Sequence, residues 1–123
     1  SAYQFDEAFL SHLKKLLPKA EIEQTTDPVA AVKDAVAVYT DVWASMGQEA
    51  EREVRQVAFE PYRVDETLMA FCPDAVFMHC LPARRGEEVT DAVIDGPQSV
   101  VVPQAANRMH VQKGLLAWLL GHH

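Results

Sequence analysis

Residues 75–83, which read Ala-Val-Phe-Met-His-Cys-Leu-Pro-Ala, decide how the rest of the chain is interpreted. The apolar run at 75–78 predicts a β-strand that is buried on both faces. Pro82 ends strand pairing, because proline has no N–H group to donate to a ladder. His79 and Cys80 therefore stand at the carboxyl end of a strand, which is where open α/β sheets bind their ligands.

The remaining sequence alternates between strand and helix patterns. Strands are predicted, in chain order, at residues 21–25, 36–39, 75–78 and 99–102. Helices are predicted at residues 5–17, 28–35, 49–59, 65–71, 91–94 and 107–120. This alternation predicts an α/β fold, namely a partial doubly wound, Rossmann-like and mostly parallel sheet with flanking helices. The chain opens with a helix and has no glycine before Gly47. We therefore expect residues 1–123 to form one partial domain that lacks the first strands of a larger parent domain.

Composition excludes several classes of protein. The 123 residues are 49% hydrophobic and 24% charged, with a net charge of -7, which argues against a nucleic-acid surface. No apolar run reaches the roughly 18 residues that would span a membrane. No signal peptide is predicted, because Asp6 and Glu7 stand where basic residues belong. Cys72 and Cys80 are too few for a disulfide scaffold, and a reducing cytoplasm is the expected location.

Three predicted strand ends carry polar or reactive side chains. They are residues 40–47, 79–82 and 104–110. In a parallel sheet these ends lie at one edge and converge on a single crevice. Asp41 offers a carboxylate to an ammonium group, and Ser45, Met46 and Gly47 offer a hydroxyl and backbone N–H groups to a carboxylate. Arg108 is suited to clamp a carbonyl or phosphate oxygen. Together these groups suit a zwitterionic amino acid that meets an anionic partner.

Structural interpretations of the same residues stay open. A buried strand cysteine such as Cys80 is usually a small hydrophobe. His79 is its sequence neighbour, so their side chains point to opposite faces of a strand, which weakens a Cys–His nucleophile pair. A zinc site made by Cys72, His79 and Cys80 fits no familiar ligand spacing. Asp41 alone is also suited to cap the following turn.

Other conspicuous side chains are expected to have structural roles. We expect Trp43 and Trp118 to be packing residues. The two arginines of the loop that follows the predicted strand at 75–78 are expected to be solvated or paired with the nearby glutamates. These four residues are Arg84, Arg85, Glu87 and Glu88.

Three motifs in this order resemble those of ornithine carbamoyltransferases. They are Asp-Val-Trp-Ala-Ser-Met-Gly-Gln-Glu at 41–49, His-Cys-Leu-Pro-Ala at 79–83 and Asn-Arg-Met-His-Val-Gln-Lys at 107–113. The likeness covers nearly the whole chain. The Ser-Met-Gly loop beside Asp-x-Trp points to ornithine as acceptor rather than aspartate or putrescine.

The resemblance implies an enzyme of arginine biosynthesis. Its reaction transfers the carbamoyl group of carbamoyl phosphate to the δ-amine of L-ornithine and gives citrulline and phosphate. Neither a metal nor a redox cofactor is expected. A neutral amine attacks a carbonyl, so the site must favour the deprotonated amine and stabilise an oxyanion.

The resemblance also implies roles for individual residues. Asp41 would hold the α-ammonium group of ornithine, and residues 45–46 would hold its α-carboxylate end. Cys80 and Leu81 would line the place where the δ-amine meets the carbamoyl carbon. Leu81 and Arg108 would contact carbamoyl phosphate. Cys80 and Arg108 are thus the expected catalytic residues, with Cys80 as an orienting group and not a covalent nucleophile.

The chain departs from the family pattern in several places. Neither the Ser-x-Arg-Thr-Arg phosphate loop nor the His-Pro-x-Gln segment of the family occurs in it. Ala106 replaces an acidic residue before the Asn-Arg pair, and an Asp usual near Val36 is absent. We therefore expect negligible turnover by this chain alone.

The missing strands would leave a sheet edge exposed, and exposed edges pair with other chains. We therefore expect a rearranged or self-associated homo-oligomer, with a swapped dimer as one form. A non-catalytic folding or interaction fragment and a carbamoyltransferase with another amino-acid acceptor are the two alternative functions.

Overall fold

The computed structural model describes residues 3–44, 47 and 49–121 of the chain. Its strands are β1 (Ala37–Thr40) and β2 (Val76–His79). Its helices are α1 (Glu7–Leu16), α2 (Pro28–Val32), α3 (Arg52–Phe59), α4 (Glu66–Met69), α5 (Asp91–Ile94) and α6 (Val101–Leu119). Short 3-10 turns at Glu49–Glu51 and Glu60–Tyr62 flank α3.

The sheet is a parallel pair. Strand β1 lies beside β2, with Val38 opposite Phe77 and Thr40 opposite His79. Helices fill the connection between the two strands, as a parallel crossover requires. The predicted α/β class, with a small parallel sheet and flanking helices, is confirmed.

Aspartate side chains fix where three helices begin. The Asp6 carboxylate accepts a hydrogen bond from the Phe9 backbone N–H at 2.7 Å, at the start of α1. Asp27 caps α2 in the same way, and the Asp65 carboxylate accepts from the Leu68 N–H at 2.8 Å at the start of α4. Each cap satisfies N–H groups that a helix cannot pair internally. These helix starts follow from the sequence.

The hydrophobic core lies on one face of the strand pair. Phe77 is fully buried at its centre. The surrounding buried side chains come from α2, α4, α5 and the start of α6, and they include Val32, Leu68, Met69, Val93, Ile94 and Val101. On the other face, Tyr39 is 55% exposed and Val76 is 36% exposed. The expectation that these strands are buried on both faces was wrong, because the described residues cover one face only.

Residues 99–102 do not form the predicted strand. Ser99 makes a single bridge to Phe77, and the Val100 N–H donates to the Phe77 carbonyl at 2.9 Å. Helix α6 then begins at Val101, six residues before the predicted start at Asn107. Pro103 explains the switch, because proline suits the first turn of a helix and cannot extend a ladder.

The predicted strand at residues 21–25 is also absent from the structure. All five residues are exposed and none is assigned to a strand. An isolated extended segment with no neighbouring strand has no ladder partner for its backbone groups, so it remains irregular.

The C-terminal half of α6 is exposed rather than packed. Leu115 is 52% exposed and Trp118 is 63% exposed. Trp118 is likewise not a packing residue within the described chain. Among the described helices, none combines the length and hydropathy needed to cross a membrane.

Candidate functional site

The parallel register brings the ends of the two strands together. Thr40 is paired with His79, so Asp41 and Cys80 follow at the same level of the sheet edge. The Cys80 thiol donates a hydrogen bond to Asp41 Oδ1, with 3.0 Å between sulfur and oxygen. The same oxygen accepts from the Val42 N–H at 2.7 Å. The structure therefore brings two of the sequence-predicted site residues into direct contact.

Burial and two neighbouring side chains set the protonation of the Cys80 thiol. Burial is the largest influence and raises the pKa of the thiol, and the hydrogen bond to Asp41 raises this pKa further. A hydrogen bond from Tyr39 acts in the opposite direction and lowers the pKa. The net effect is a raised pKa, so Cys80 is a neutral thiol at pH 7. A neutral thiol is a poor nucleophile, which suits an orienting role.

His79 lies behind this edge in the core, with its side chain fully enclosed. Its Nδ1 accepts a hydrogen bond from the Leu81 N–H at 2.8 Å. Its Nε2 lies 3.2 Å from Oε1 of the equally buried Glu88. Because Nδ1 is an acceptor, Nε2 carries the hydrogen that Glu88 receives. Glu88 Oε1 also accepts from the Arg84 N–H at 2.6 Å. This pair therefore fixes the backbone just after β2.

Leu81 adopts an unusual backbone conformation. Its φ is +56°, in the left-handed region that side chains other than glycine rarely adopt. The bond from its N–H to His79 holds this conformation, and its side chain packs against the core. Leu81 is thus placed next to Cys80 by the buried His79–Glu88 pair.

The loop arginines are paired differently from the expectation. Arg85 contacts Asp91 at 2.7 Å and Asp95 at 2.5 Å. Glu87 instead forms an ion pair with Arg52 of α3. The alternative that these arginine side chains pair with Glu88 was wrong, since the Glu88 carboxylate is buried against His79.

Sequence reasoning assigned no role to Gln104 or Tyr39, although both lie at this edge. Gln104 Oε1 accepts from the His79 backbone N–H at 3.0 Å, and its side chain also hydrogen-bonds Tyr39. The hydrogen bond to Cys80 is the main cause of a raised pKa for the Tyr39 hydroxyl. The available signal was the position of Gln104 in the polar stretch that follows the apolar run at 99–102.

Arg108 occupies an exposed position in α6, one helical turn after Gln104. Residues four apart lie on the same helix face, so Arg108 stands on the face that begins at the site. Its side chain has no hydrogen bond or ion pair to any residue that the structure describes. It lies within α6, which begins seven residues earlier, and not at the start of a helix as the predicted range 107–120 implied. The predicted positions Ser45 and Met46 fall outside the described residues.

Asp41, His79 and Cys80 each place one potential metal-ligand atom within 4.8 Å of the other two. This set differs from the cysteine-based set considered from spacing, because Asp41 takes the place of Cys72. The imidazole is already engaged at both nitrogens, by Leu81 and by Glu88. Metal binding would break the bond that holds Leu81, so the arrangement does not fit a resident metal.

A cleft of about 830 Å³ opens on the Asp41 side of this edge. Asp41 and Thr40 contribute polar groups to its wall. Trp43 forms an aromatic side and stacks on Phe59, with 6.4 Å between the ring centroids. Trp43 thus packs on Phe59 and also lines the cleft. The cleft is wide enough for an amino acid to reach the Asp41 carboxylate.

The chain matches a family model described as aspartate/ornithine carbamoyltransferase, Asp/Orn binding domain, over residues 1–119. It is 64% identical over 96 residues to an ornithine carbamoyltransferase of Pyrococcus abyssi, which is 77% of this chain and 30% of that protein.

Two solved structures are also similar. The ornithine carbamoyltransferase of Pyrococcus furiosus has a TM-score of 0.83 and 53% identity, covering 94% of this chain and 38% of that one. The anabolic enzyme of Campylobacter jejuni has a TM-score of 0.86 and 34% identity, covering 100% of this chain and 42% of that one. The chain thus spans between about 30% and 42% of the length of these relatives. It belongs to the aspartate/ornithine carbamoyltransferase family and corresponds to that family's aspartate/ornithine-binding domain.

Proposed function

We propose that the chain binds L-ornithine at the carboxyl edge of β1 and β2 and forms half of a carbamoyltransferase active site. The observation that carries this proposal is the contact between the Asp41 carboxylate and the Cys80 thiol, at 3.0 Å, beside an open cleft. A carboxylate in this position offers charge-assisted hydrogen bonds to an α-ammonium group. The thiol beside it is neutral, so Asp41 supplies the negative charge of this pair.

The remaining proposed contacts follow the family resemblance. Ser45 and Met46 hold the α-carboxylate end of ornithine, and Cys80 with Leu81 lines the position of its δ-amine. Leu81 and Arg108 contact carbamoyl phosphate. The Arg108 guanidinium has no partner among the described residues and lies on the helix face that begins at the site, so it is suited to a bidentate contact with phosphate oxygens.

The proposed reaction is a direct transfer between positioned reactants. The δ-nitrogen of ornithine forms a bond to the carbamoyl carbon, the bond from that carbon to the phosphate oxygen breaks, and the amine loses a proton. Citrulline and phosphate are the products. Because no phosphate loop occurs in the 123 residues, we expect this chain to need groups from outside it for turnover.

We also place the chain in the cytoplasm. Cys72 and Cys80 are both free thiols, which agrees with a reducing compartment. The arginine biosynthetic role and carbamoyl phosphate as donor rest on the family relationship.

Calorimetric titration with L-ornithine tests the proposed site. We expect heat of binding from the original chain and a loss of at least tenfold in affinity for Asp41→Asn, because the ammonium group loses its charged partner. Asp74→Asn is the matched control, since Asp74 is an exposed aspartate just before the amino end of β2, far from the carboxyl end where Asp41 lies. This control is expected to bind like the original chain. Equal affinities for both variants would contradict the proposal.

A citrulline assay tests the expected dependence on outside groups. The purified chain with carbamoyl phosphate and L-ornithine is expected to give no citrulline above the uncatalysed rate. Measurable turnover, abolished by Arg108→Ala, would contradict that expectation and would mean that the chain contains a complete site.

The second candidate is a non-catalytic interaction fragment. The observation in its favour is the large exposed apolar surface of α6, where Leu116 is 59% exposed and Leu120 is 72% exposed. Absence of any ornithine binding, together with self-association, would favour this candidate.

A further inference from the structure

The side chains of Tyr39 and Cys80 share one face of the strand pair. Tyr39 lies opposite the residue two before Cys80, and side chains two residues apart in a strand point the same way. Gln104 stands at the far edge of β2, because its Oε1 accepts from the His79 backbone N–H at 3.0 Å. That N–H points away from β1, since the Val76 N–H, three residues earlier, faces β1 and N–H directions alternate along a strand. The Tyr39 side chain therefore crosses β2 to reach Gln104.

The Gln104 amide is engaged through both of its ends. Its oxygen accepts from the His79 N–H, so its NH₂ group is the end that remains for Tyr39. An amide NH₂ group can only donate. In agreement, the bond from Gln104 lowers the pKa of the Tyr39 hydroxyl, because a hydrogen bond donated to the phenol oxygen stabilises the phenolate form. The Tyr39 oxygen thus receives a hydrogen bond, and its own hydrogen is directed elsewhere.

The Tyr39 hydroxyl donates in turn to the Cys80 sulfur. This bond raises the pKa of Tyr39 and lowers the pKa of Cys80, as a hydrogen bond from O–H to sulfur does. The Cys80 S–H then donates to Asp41 Oδ1, with 3.0 Å between the two atoms. The bonds therefore run in one direction, and we name them the hydrogen-bond series (Gln104, Tyr39, Cys80 and Asp41). Each donor in such a series strengthens the next one, and the carboxylate at its end only accepts.

We propose that Gln104 and Tyr39 are positioning residues that hold the Cys80 proton on the Asp41 carboxylate and away from the amine of the acceptor substrate. This role rests on the proposed function, in which the δ-amine of ornithine lies beside Cys80. A neutral amine attacks through its lone pair, and a thiol proton that pointed at this lone pair would occupy it with a hydrogen bond. With the proton committed to Asp41 Oδ1, the lone pair stays free for the carbamoyl carbon.

The substitution Gln104→Glu reverses one bond of the series and keeps the backbone contact. The glutamate retains an oxygen for the His79 N–H but presents an acceptor to Tyr39 in place of the NH₂ group. The Tyr39 hydroxyl is then expected to turn to this carboxylate, so that the Cys80 sulfur loses its donor. Gln112→Glu is the matched control, because it makes the same change at an exposed position about two helical turns further along α6.

Infrared spectroscopy of the S–H stretch measures the thiol directly. The band of Cys80 is identified by its absence in Cys80→Ala, which leaves the band of Cys72. We expect the Cys80 band to move to higher wavenumber in Gln104→Glu, since the thiol donates less strongly once its sulfur no longer accepts from Tyr39. Tyr39→Phe is expected to shift the band in the same direction, and Gln112→Glu is expected to leave it in place.

A double substitution separates an action through Tyr39 from a direct effect of the new charge. Alkylation of Cys80 by iodoacetamide at pH 8 is expected to slow roughly threefold to tenfold in Gln104→Glu, because less thiolate is present. In a Tyr39→Phe background, Gln104→Glu is expected to change the alkylation rate and the S–H band no more than Gln112→Glu does. Circular dichroism checks that each variant is folded, and glutamate is as good a helix former as glutamine.

Two results would overturn the hydrogen-bond series. One is an S–H band that both Gln104→Glu and Tyr39→Phe leave in place. The other is an effect of Gln104→Glu that is equally large with and without Tyr39.

Addition of L-ornithine tests the role in the reaction separately. Its ammonium group is expected to weaken the bond from Cys80 to Asp41 and to raise the S–H wavenumber in the original chain, because it draws charge from the carboxylate. A band that ornithine leaves unchanged would overturn this role together with the proposed function, whereas the series would still be established by the substitutions.

Discussion

At the scale of single residues, Cys80 is acted on by two neighbours in opposite directions. The Asp41 carboxylate raises the pKa of the thiol, whereas the hydrogen bond from Tyr39 lowers it. The two neighbours also belong to the same strand end, one on each side of Thr40. The rate at which the Cys80 thiol reacts therefore depends on how close Asp41 and Tyr39 lie to it.

Alkylation of Cys80 by iodoacetamide at pH 8 measures this balance. Asp41→Asn is expected to lower the pKa of the thiol and speed alkylation roughly threefold to tenfold, because more thiolate is present. Tyr39→Phe is expected to raise the pKa and slow the reaction. Peptide mass spectrometry distinguishes Cys80 from the buried Cys72. Changes of the same sign in the two variants would contradict the assignment of these neighbours.

The sequence allowed Asp41 and Cys80 to be placed at one edge, because strand ends in a parallel sheet coincide. It did not allow Glu88 to be placed. A glutamate in a charged loop looks solvated, and only the fold reveals that its carboxylate meets the His79 ring in the core. Buried polar pairs of this kind have no local sequence pattern, since the two residues are brought together by a turn.

At the scale of elements, helix starts were more predictable than strands. Asp6, Asp27 and Asp65 cap helices through short local hydrogen bonds, and local interactions can be read from neighbouring residues. The β-branched run at 99–102 was misread as a strand. Val101 and Val102 are β-branched and have a high intrinsic preference for strands. However, Pro103 cannot donate a ladder hydrogen bond, and the pairing with β2 is limited to the single bridge at Ser99.

Removal of one cap tests this local control. Asp65→Ala is expected to lower the free energy of unfolding by about 1 kcal/mol, because the Leu68 N–H at the start of α4 loses its acceptor. Urea denaturation followed by circular dichroism measures the change. Asp74→Ala, which removes an exposed aspartate outside any helix, serves as the control and is expected to change stability by less than about 0.5 kcal/mol.

At the scale of the whole molecule, stability depends on a small core on one side of two short strands. Phe77 is fully buried at its centre, whereas Tyr39 is 55% exposed on the uncovered side. The apolar pattern of the two strands predicted cover on both faces. Which face lacks cover depends on the surrounding elements and not on the strands themselves, so it could not be predicted from their pattern.

Two substitutions measure this asymmetry. Phe77→Ala is expected to cost about 3–5 kcal/mol, which is comparable with the whole stability of a small domain. Val76→Ala, on the uncovered face, is expected to cost less than about 1 kcal/mol. Urea midpoints of the two variants give the comparison. A similar loss in both would mean that the exposed face is covered in solution.

The Gln104 side chain connects the first turn of α6 to the carboxyl end of β2. Its side chain holds the His79 backbone N–H, while its own backbone lies in the first turn of α6. A tilt of this helix would carry the amide with it and would change the acceptor that the strand end uses. A change in how α6 packs along its length would therefore reach the carboxyl end of β2 through this one side chain.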